Sequence, residues 1–245
     1  MKLSSYSLTD IGRLRKLNQD YVFTSEVPVG TLPDLFIVAD GMGGHKAGEY
    51  ASKCAVETMV SQINSSTERG SIRVISNAIR EANRRVRNKA MSDDNYFGMG
   101  TTLVVATIDD DGLCVANVGD SRPYTFKDNK LSQVTVDHSL VEEMVRAGTL
   151  DRKLARIHPE RNVITRAIGA EDSLKVDFFR VPIDECGLVL MCSDGLYSMV
   201  DDDEIEKVLV KKLPLEDKAA ELVALANEAG GKDNISVILI NTSRL

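Results

Sequence analysis

The feature that most constrains this chain is where its helical patterns fall. Short β-branched and aromatic runs recur along almost the whole length, at residues 21–24, 35–39, 101–108, 113–118, 131–136, 176–181, 188–191 and 235–240, most of them bounded by Gly, Asp, Asn or Pro. That is the pattern of many strands joined by turns. Asp128-Asn129, between Tyr124-Thr125-Phe126 and Leu131, reads as a hairpin tip, so the sheet content should be largely antiparallel. Helical patterns interrupt these runs in two blocks and do not alternate with them. In the first, Ile72, Ile75, Ile79, Ala82 and Val86 recur at three and four residues with arginines on the opposite face, and residues 47–63 form a second helix beside them. In the second, Ile205, Val208 and Leu209 are followed by Leu222, Val223 and Ala226, with Gly230-Gly231 as a C-terminal stop. Helices grouped apart from runs of strands predict an α+β fold and not a doubly wound parallel sheet.

A length of 245 residues suits one large domain, residues 1–245, and no repeat, low-complexity tract or Pro/Ser-rich linker marks an internal boundary. The stretch at about 137–166 differs from the rest. Ser139-Leu140-Val141-Glu142 has capping-box spacing, and the segment then becomes basic through Arg152, Lys153, Arg156 and Arg161; it reads as a small helical flap lobe inserted between strands. The net charge of −7 argues against a nucleic-acid phosphate surface. No segment is long and apolar enough for a membrane span, and the first residues lack a secretion signal, so a cytoplasmic monomer is expected. Cys54, Cys114, Cys186 and Cys192 are scattered, with no C-x-x-C pair, and read as reduced packing residues.

Four aspartates share a local context. Asp20 opens a strand, Asp40 and Asp194 end hydrophobic runs and are followed by glycine, and Asp233 precedes one. Taken singly, each is explained as well by a turn or cap. Together, carboxylates without histidine or thiolate partners suit hard cations such as Mg²⁺ or Mn²⁺ far better than zinc, and paired ions of that kind activate water and neutralise a phosphoryl group. Arg15, just before Asp20, offers a guanidinium able to grip two phosphate oxygens; the alternative is an exposed basic residue beside Arg13 and Lys16.

At these residues a resemblance enters. Arg15-x-x-Asn18-Gln19-Asp20, Val38-Ala39-Asp40-Gly41-Met42-Gly43-Gly44-His45, Met99-Gly100-Thr101-Thr102, Val118-Gly119-Asp120-Ser121-Arg122, Cys192-Ser193-Asp194-Gly195 and Gly230-Gly231-x-Asp233-Asn234 resemble, in order, the motifs of the PPM/PP2C family of metal-dependent protein serine/threonine phosphatases, in its compact bacterial form. The resemblance covers the chain from about Thr9 to Ile240. It implies a four-layer αββα fold, a central β-sandwich of two antiparallel sheets flanked by helices on both faces. It also implies hydrolysis of phosphoserine and phosphothreonine by in-line attack of a water bridging two Mn²⁺ or Mg²⁺ ions, with a third ion held more weakly. By the same resemblance Asp40 bridges two metals, Asp20 and the Gly41 carbonyl complete one site, Asp194 and Asp233 hold the other, and Asp120 shares a third with Asp194. Arg15 then binds substrate phosphate, and Asn234 orients its neighbour.

The Gly119-Asp120-Ser121-Arg122 string is explained as well by a structural turn. Where eukaryotic relatives carry Asp-Gly-His this chain has Met42. His45 is either a substitute acid or a loop-stabilising residue, and His138 and His158 are structural or near substrate. Pro123 suggests a strand edge or bulge. Phosphorylated proteins are the implied substrates and a serine/threonine kinase the implied counterpart. A catalytically dead binding module, or a hydrolase of small phosphoesters, is the competing reading.

Overall fold

In a computed structural model, which describes residues 3–44 and 46–242, the described strands form two antiparallel sheets stacked face to face. One has the order β1 (Ser4–Asp10), β11 (Ile235–Asn241), β10 (Leu188–Cys192), β7 (Arg122–Lys127), β8 (Lys130–Gln133). The other has the order β2 (Asp20–Ser25), β3 (Leu35–Met42), β5 (Leu103–Asp109), β6 (Gly112–Val118), β9 (Asp177–Val181), with the short β4 (Gly100–Thr101) paired to the end of β3.

Period-two alternation builds three apolar layers from these strands. Phe36 and Val38 of β3, Val104 and Ala106 of β5, Val189 and Met191 of β10, and Ile238 and Ile240 of β11 meet between the sheets. The intervening residues point outward. Leu35, Ile37 and Ala39 pack under α1 (Ala47–Ser65) and α2 (Ser71–Ser92). On the opposite side, Leu190, Cys192, Val237 and Leu239 pack under α5 (Asp194–Tyr197), α6 (Asp202–Leu209) and α7 (Leu215–Glu228). Central strands covered on both faces read as continuous apolar runs, which is why they stand out in the sequence. Truncating a between-sheet residue such as Met191 or Ile238 to alanine should cost about 2–5 kcal/mol.

The α+β reading and the flanking helices hold. Asp128 and Asn129 both take positive φ, 52° and 61°, as a two-residue hairpin turn requires. The buried stripe of α2 is Val74, Ile75, Ala78, Ile79, Ala82 and Val86; Ile72, in the first turn, is 41% exposed and stands outside it. The run 101–108 divides at Thr102, whose backbone N–H bonds the Asp40 carbonyl. Pro123 corrects the expectation of an edge: β7 lies between β10 and β8. The proline is tolerated because the β8 register starts beyond it, at Tyr124 opposite Gln133, and its carbonyl accepts from Val134 N–H. Strand β1 has no hydrophobic run, only alternation, and lies at the outer edge of its sheet.

The lobe leaves after β8 and returns before β9, so it links the two sheets. It carries α3 (Leu140–Arg146), capped by Ser139 accepting from Glu142 N–H, and the short α4 (Arg152–Ala155). Its two ends are tied by Leu140 N–H to Val163 O and Thr165 N–H to His138 O.

Candidate active site

Asp40, Gly41, Asp120, Asp194, Asp233 and Arg15, which lie far apart in sequence, line one cleft of about 210 Å³. Asp20 sits behind this lining, on the first residue of β2 directly opposite Asp40 in register. Asp40 comes near the end of β3, Asp194 opens α5 just past β10, and Asp233 precedes β11, so neighbouring strand ends deliver the carboxylates to one place. Gln19, Met42, Gly43, Thr102, Asn162 and Ile164 complete the wall. Of these, Asn162 and Ile164 come from the return segment of the lobe, where nothing in the sequence marks them.

The backbone around Asp40 is held from several sides. Its N–H donates to Thr102 Oγ1 at 2.9 Å, and its carbonyl accepts from Thr101 Oγ1 and Thr102 N–H, each at 2.9 Å. Gly41 allows the next turn: a side chain there would meet the Gly48 carbonyl at 2.0 Å and the Gln19 carbonyl at 2.6 Å. Gly195 has the same role beside Asp194, where a Cβ would lie 1.9 Å from the Asn234 carbonyl. Asn234 donates its backbone N–H to Asp233 Oδ1 at 2.9 Å. Its side chain staples the loop carrying Arg15, donating to Ile11 O and Leu17 O and accepting from Gln19 N–H. Its reach is therefore wider than its neighbour.

Asp20 and Asp120 are buried and Asp40 and Asp194 partly so, and two of their oxygens are short of partners. Asp20 Oδ2 accepts from Ser193 Oγ at 2.7 Å, while Asp20 Oδ1 and Asp194 Oδ1 are buried without any partner. Burial raises the pKa of Asp40 well above the ordinary carboxylate range, and the charges of Asp20, Asp194, Asp120 and Asp233 push it further. Asp194 is raised by burial and by Asp233 and Asp20; Asp20 is raised by burial against the opposing Ser193 bond. Orphaned acceptors of this kind are costly unless a cation compensates them. The donors are all oxygens, the set that suits Mg²⁺ or Mn²⁺. Among the described residues no single point is ringed by three His, Cys, Asp or Glu side chains in ligating positions. Asp40 instead lies opposite Asp20 in the strand register and shares the cleft wall with Asp194, an arrangement that suits a ligand shared between ions.

At the mouth, the half-exposed Arg15 donates from Nη2 to Asp233 Oδ2 at 2.6 Å. Met42 lines the cleft and brings no proton donor to it. His45 lies outside the described residues. His138 is structural: Nδ1 accepts from Gly119 N–H at 3.1 Å, so Nε2 carries the proton and faces Asp177 Oδ2 at 3.0 Å. Burial lowers its pKa, keeping it neutral. His158 Nδ1 accepts from Glu160 N–H within the lobe.

A second cavity, of about 360 Å³, opens under the lobe and shares Asp120, Asn162 and Asp194 with the cleft. Two of the basic residues of the lobe are already engaged. Arg152 is bidentate to Glu142 at 2.9 Å, and Arg156 holds Asp201 at 2.7 Å and the Tyr197 carbonyl at 2.8 Å.

The described residues contain no helix long and apolar enough to cross a membrane. The chain matches the family described as Protein phosphatase 2C over residues 13–239. It is 40% identical over 238 residues to the serine/threonine phosphatase stp of Listeria welshimeri, covering 95% of this chain and 93% of that one. It is 38% identical over 242 residues to the protein phosphatase PhpP of Streptococcus pneumoniae, covering 96% and 95%. Among solved structures, the serine/threonine phosphatase Stp1 from Staphylococcus aureus superimposes with a TM-score of 0.92 at 33% identity, covering 98% of this chain and 95% of that one. With the family matched across nearly its whole length, this chain belongs to the protein phosphatase 2C family.

Proposed function

We propose that this chain hydrolyses phosphoserine and phosphothreonine on proteins, in a cleft that takes two Mn²⁺ or Mg²⁺ ions and more weakly a third. The observation that carries the reading is the pair of buried, unpartnered oxygens, Asp20 Oδ1 and Asp194 Oδ1, flanking Asp40 under a cationic rim at Arg15. Asp40 would be shared between the ions, Asp20 and the Gly41 carbonyl would hold one, Asp194 and Asp233 would hold the other, and Asp120 with Asp194 would take the third. Bound there, the ions would supply an activated water and neutralise charge on the phosphoryl oxygens.

The protein's own groups set the rest. Arg15 spends one N–H on Asp233, and its remaining donors have no other partner among the described residues, so they are available to a phosphate dianion at the mouth. Rigid backbone at Asp40 and Gly41 keeps the acceptors in place without side-chain reorganisation. Phosphoryl transfer is to water, with cleavage of the bond to the serine or threonine oxygen and no covalent enzyme intermediate. Burial pushes the Cys114 and Cys192 thiols up, which keeps both in the unreactive protonated form. A single domain over 1–245 is supported by the pairing of β1 with β11, from opposite ends of the chain. A cytoplasmic monomer working against a serine/threonine kinase completes the reading.

The test is phosphate release from phosphoserine, phosphothreonine and phosphotyrosine peptides and from ATP, with Mn²⁺ present. Turnover of the first two, with little of the others, is expected. Preference for the nucleotide would establish a small-ester hydrolase instead.

A further inference from the structure

Tyr197 ends α5, the four-residue helix that Asp194 begins, so one short element brings two groups to the same wall. Its ring lies beneath Arg122, with the guanidinium carbon 3.6 Å from the ring centroid. Arg122 is itself fixed, bidentate to Asp137 at 2.6–3.1 Å and donating to Tyr124 Oη at 3.1 Å. From the lobe, Arg156 grips the Tyr197 carbonyl at 2.8 Å. Stacking and a held carbonyl leave the ring one place to be. Its hydroxyl then donates to Asp120 Oδ2 at 3.2 Å.

A phenylalanine would stack on Arg122 equally well, so the hydroxyl adds nothing to packing; the bond it makes in the structure is the one to Asp120. Asp120 is nearly buried, at 6% exposed, and its backbone is anchored next door, where Gly119 N–H meets His138 Nδ1. The backbone of this carboxylate is set by the root of the lobe, and its rotation by Tyr197.

We propose that Tyr197 is a positioning residue: its hydroxyl fixes the rotation of the Asp120 carboxylate towards Asp194, and so tunes the affinity of the weakest cation position. The inference rests on the reading of Asp120 as a ligand of that third ion. Groups that orient a ligand carboxylate commonly alter metal affinity about 10–100-fold. At 3.2 Å this bond is long for O–H···O, which places the expected effect at about 3–10-fold.

The experiment is calorimetric titration of the full, metal-stripped chain with Mn²⁺, in wild type, Tyr197→Phe and Asp120→Asn, alongside thermal melting without metal. Asp120→Asn should abolish the weakest binding event. Tyr197→Phe should retain that event with a Kd raised about 3–10-fold, leave the tighter events unchanged, and melt within about 3 °C of wild type. In phosphopeptide assays the Mn²⁺ concentration giving half-maximal rate should rise by a similar factor, while KM for the peptide and kcat at saturating Mn²⁺ stay put. Loss of the weak event in Asp120→Asn with an unaltered Kd in Tyr197→Phe would overturn the role of the hydroxyl and spare the reading of Asp120. Survival of the weak event in Asp120→Asn would overturn that reading, and the role of Tyr197 with it. A large drop in melting temperature in Tyr197→Phe without a change in Mn²⁺ affinity would make the tyrosine merely structural.

Discussion

The aspartate cleft and the flap lobe share a wall, yet they treat charge in opposite ways. In the cleft, Asp20, Asp40, Asp120 and Asp194 crowd together on rigid strand ends with their pKa values raised and two of their oxygens unpartnered. In the lobe, Arg152, Arg156 and Arg166 are paired with Glu142, Asp201 and Asp177, and their loops are held by those pairs. The cleft therefore costs the metal-free fold stability and keeps its charge for a ligand, whereas the lobe uses its charge to hold itself together and to the body.

The contrast breaks most visibly by removing a cleft carboxylate. Asp40→Asn or Asp194→Asn should lower kcat on a phosphopeptide at least 100-fold, above the 10–100-fold typical of groups that only support a ligand. The same change should leave the metal-free protein equal to wild type or about 1 kcal/mol more stable in urea, because a like-charge neighbour has gone. A substantially less stable variant would mean that these carboxylates hold the fold.

Arg15→Ala comes next. Phosphate contact predicts a KM for phosphopeptide raised about tenfold with folding unchanged, roughly the 1.4 kcal/mol of one charge-assisted contact. Identical kinetics would assign the phosphate grip to another cation. In the lobe the sign of the comparison reverses. Arg156→Ala should reduce stability by about 1 kcal/mol or less, since its partner Asp201 is exposed, and should not touch Mn²⁺ affinity at the tight positions. Neutralising it affects the hold on the body first, so a loss specific to large substrates would need a lobe that stays folded, which proteolysis can check.

The smallest expected effect lies away from both regions. Burial raises Asp34 to about 6, against a bond from Ile108 N–H to its Oδ1. A carboxyl raised in the fold adds stability that is complete below its unfolded value of 3.8 and is lost as pH climbs through about 6. Asp34→Asn should therefore raise stability at pH 8 by on the order of 2 kcal/mol, and by nothing at pH 4. An equal gain at both pH values would trace the effect to packing.

Much of this was legible in the sequence, for identifiable reasons. The central strands show because both of their faces are buried, and α2 shows because its apolar stripe repeats with the helical period. Strand β1 does not show: with Ser4, Ser5, Ser7 and Thr9 it has only alternation, and its pairing with β11 depends on the far end of the chain. The break at Thr102 is equally hidden, since it arises from a clamp on Asp40 some sixty residues away. In the site, motif strings marked the carboxylates and Arg15. The strings also contain Ser193 and Asn234, but not the bonds that these residues, Tyr197 and His138 make, because those contacts cross 19 to 223 residues of sequence. Nor could the basic run of the lobe reveal that Arg152 and Arg156 are already bonded.

The central claim is that the orphaned cleft carboxylates exist to hold divalent cations for phosphoester hydrolysis. Its most direct measurement is phosphate release from a phosphothreonine peptide by wild-type protein stripped with EDTA and then titrated with Mn²⁺, with Asp40→Asn in parallel. Activity should vanish on stripping and return with Mn²⁺ in wild type alone; full turnover by the stripped protein, or equal recovery in Asp40→Asn, would contradict it.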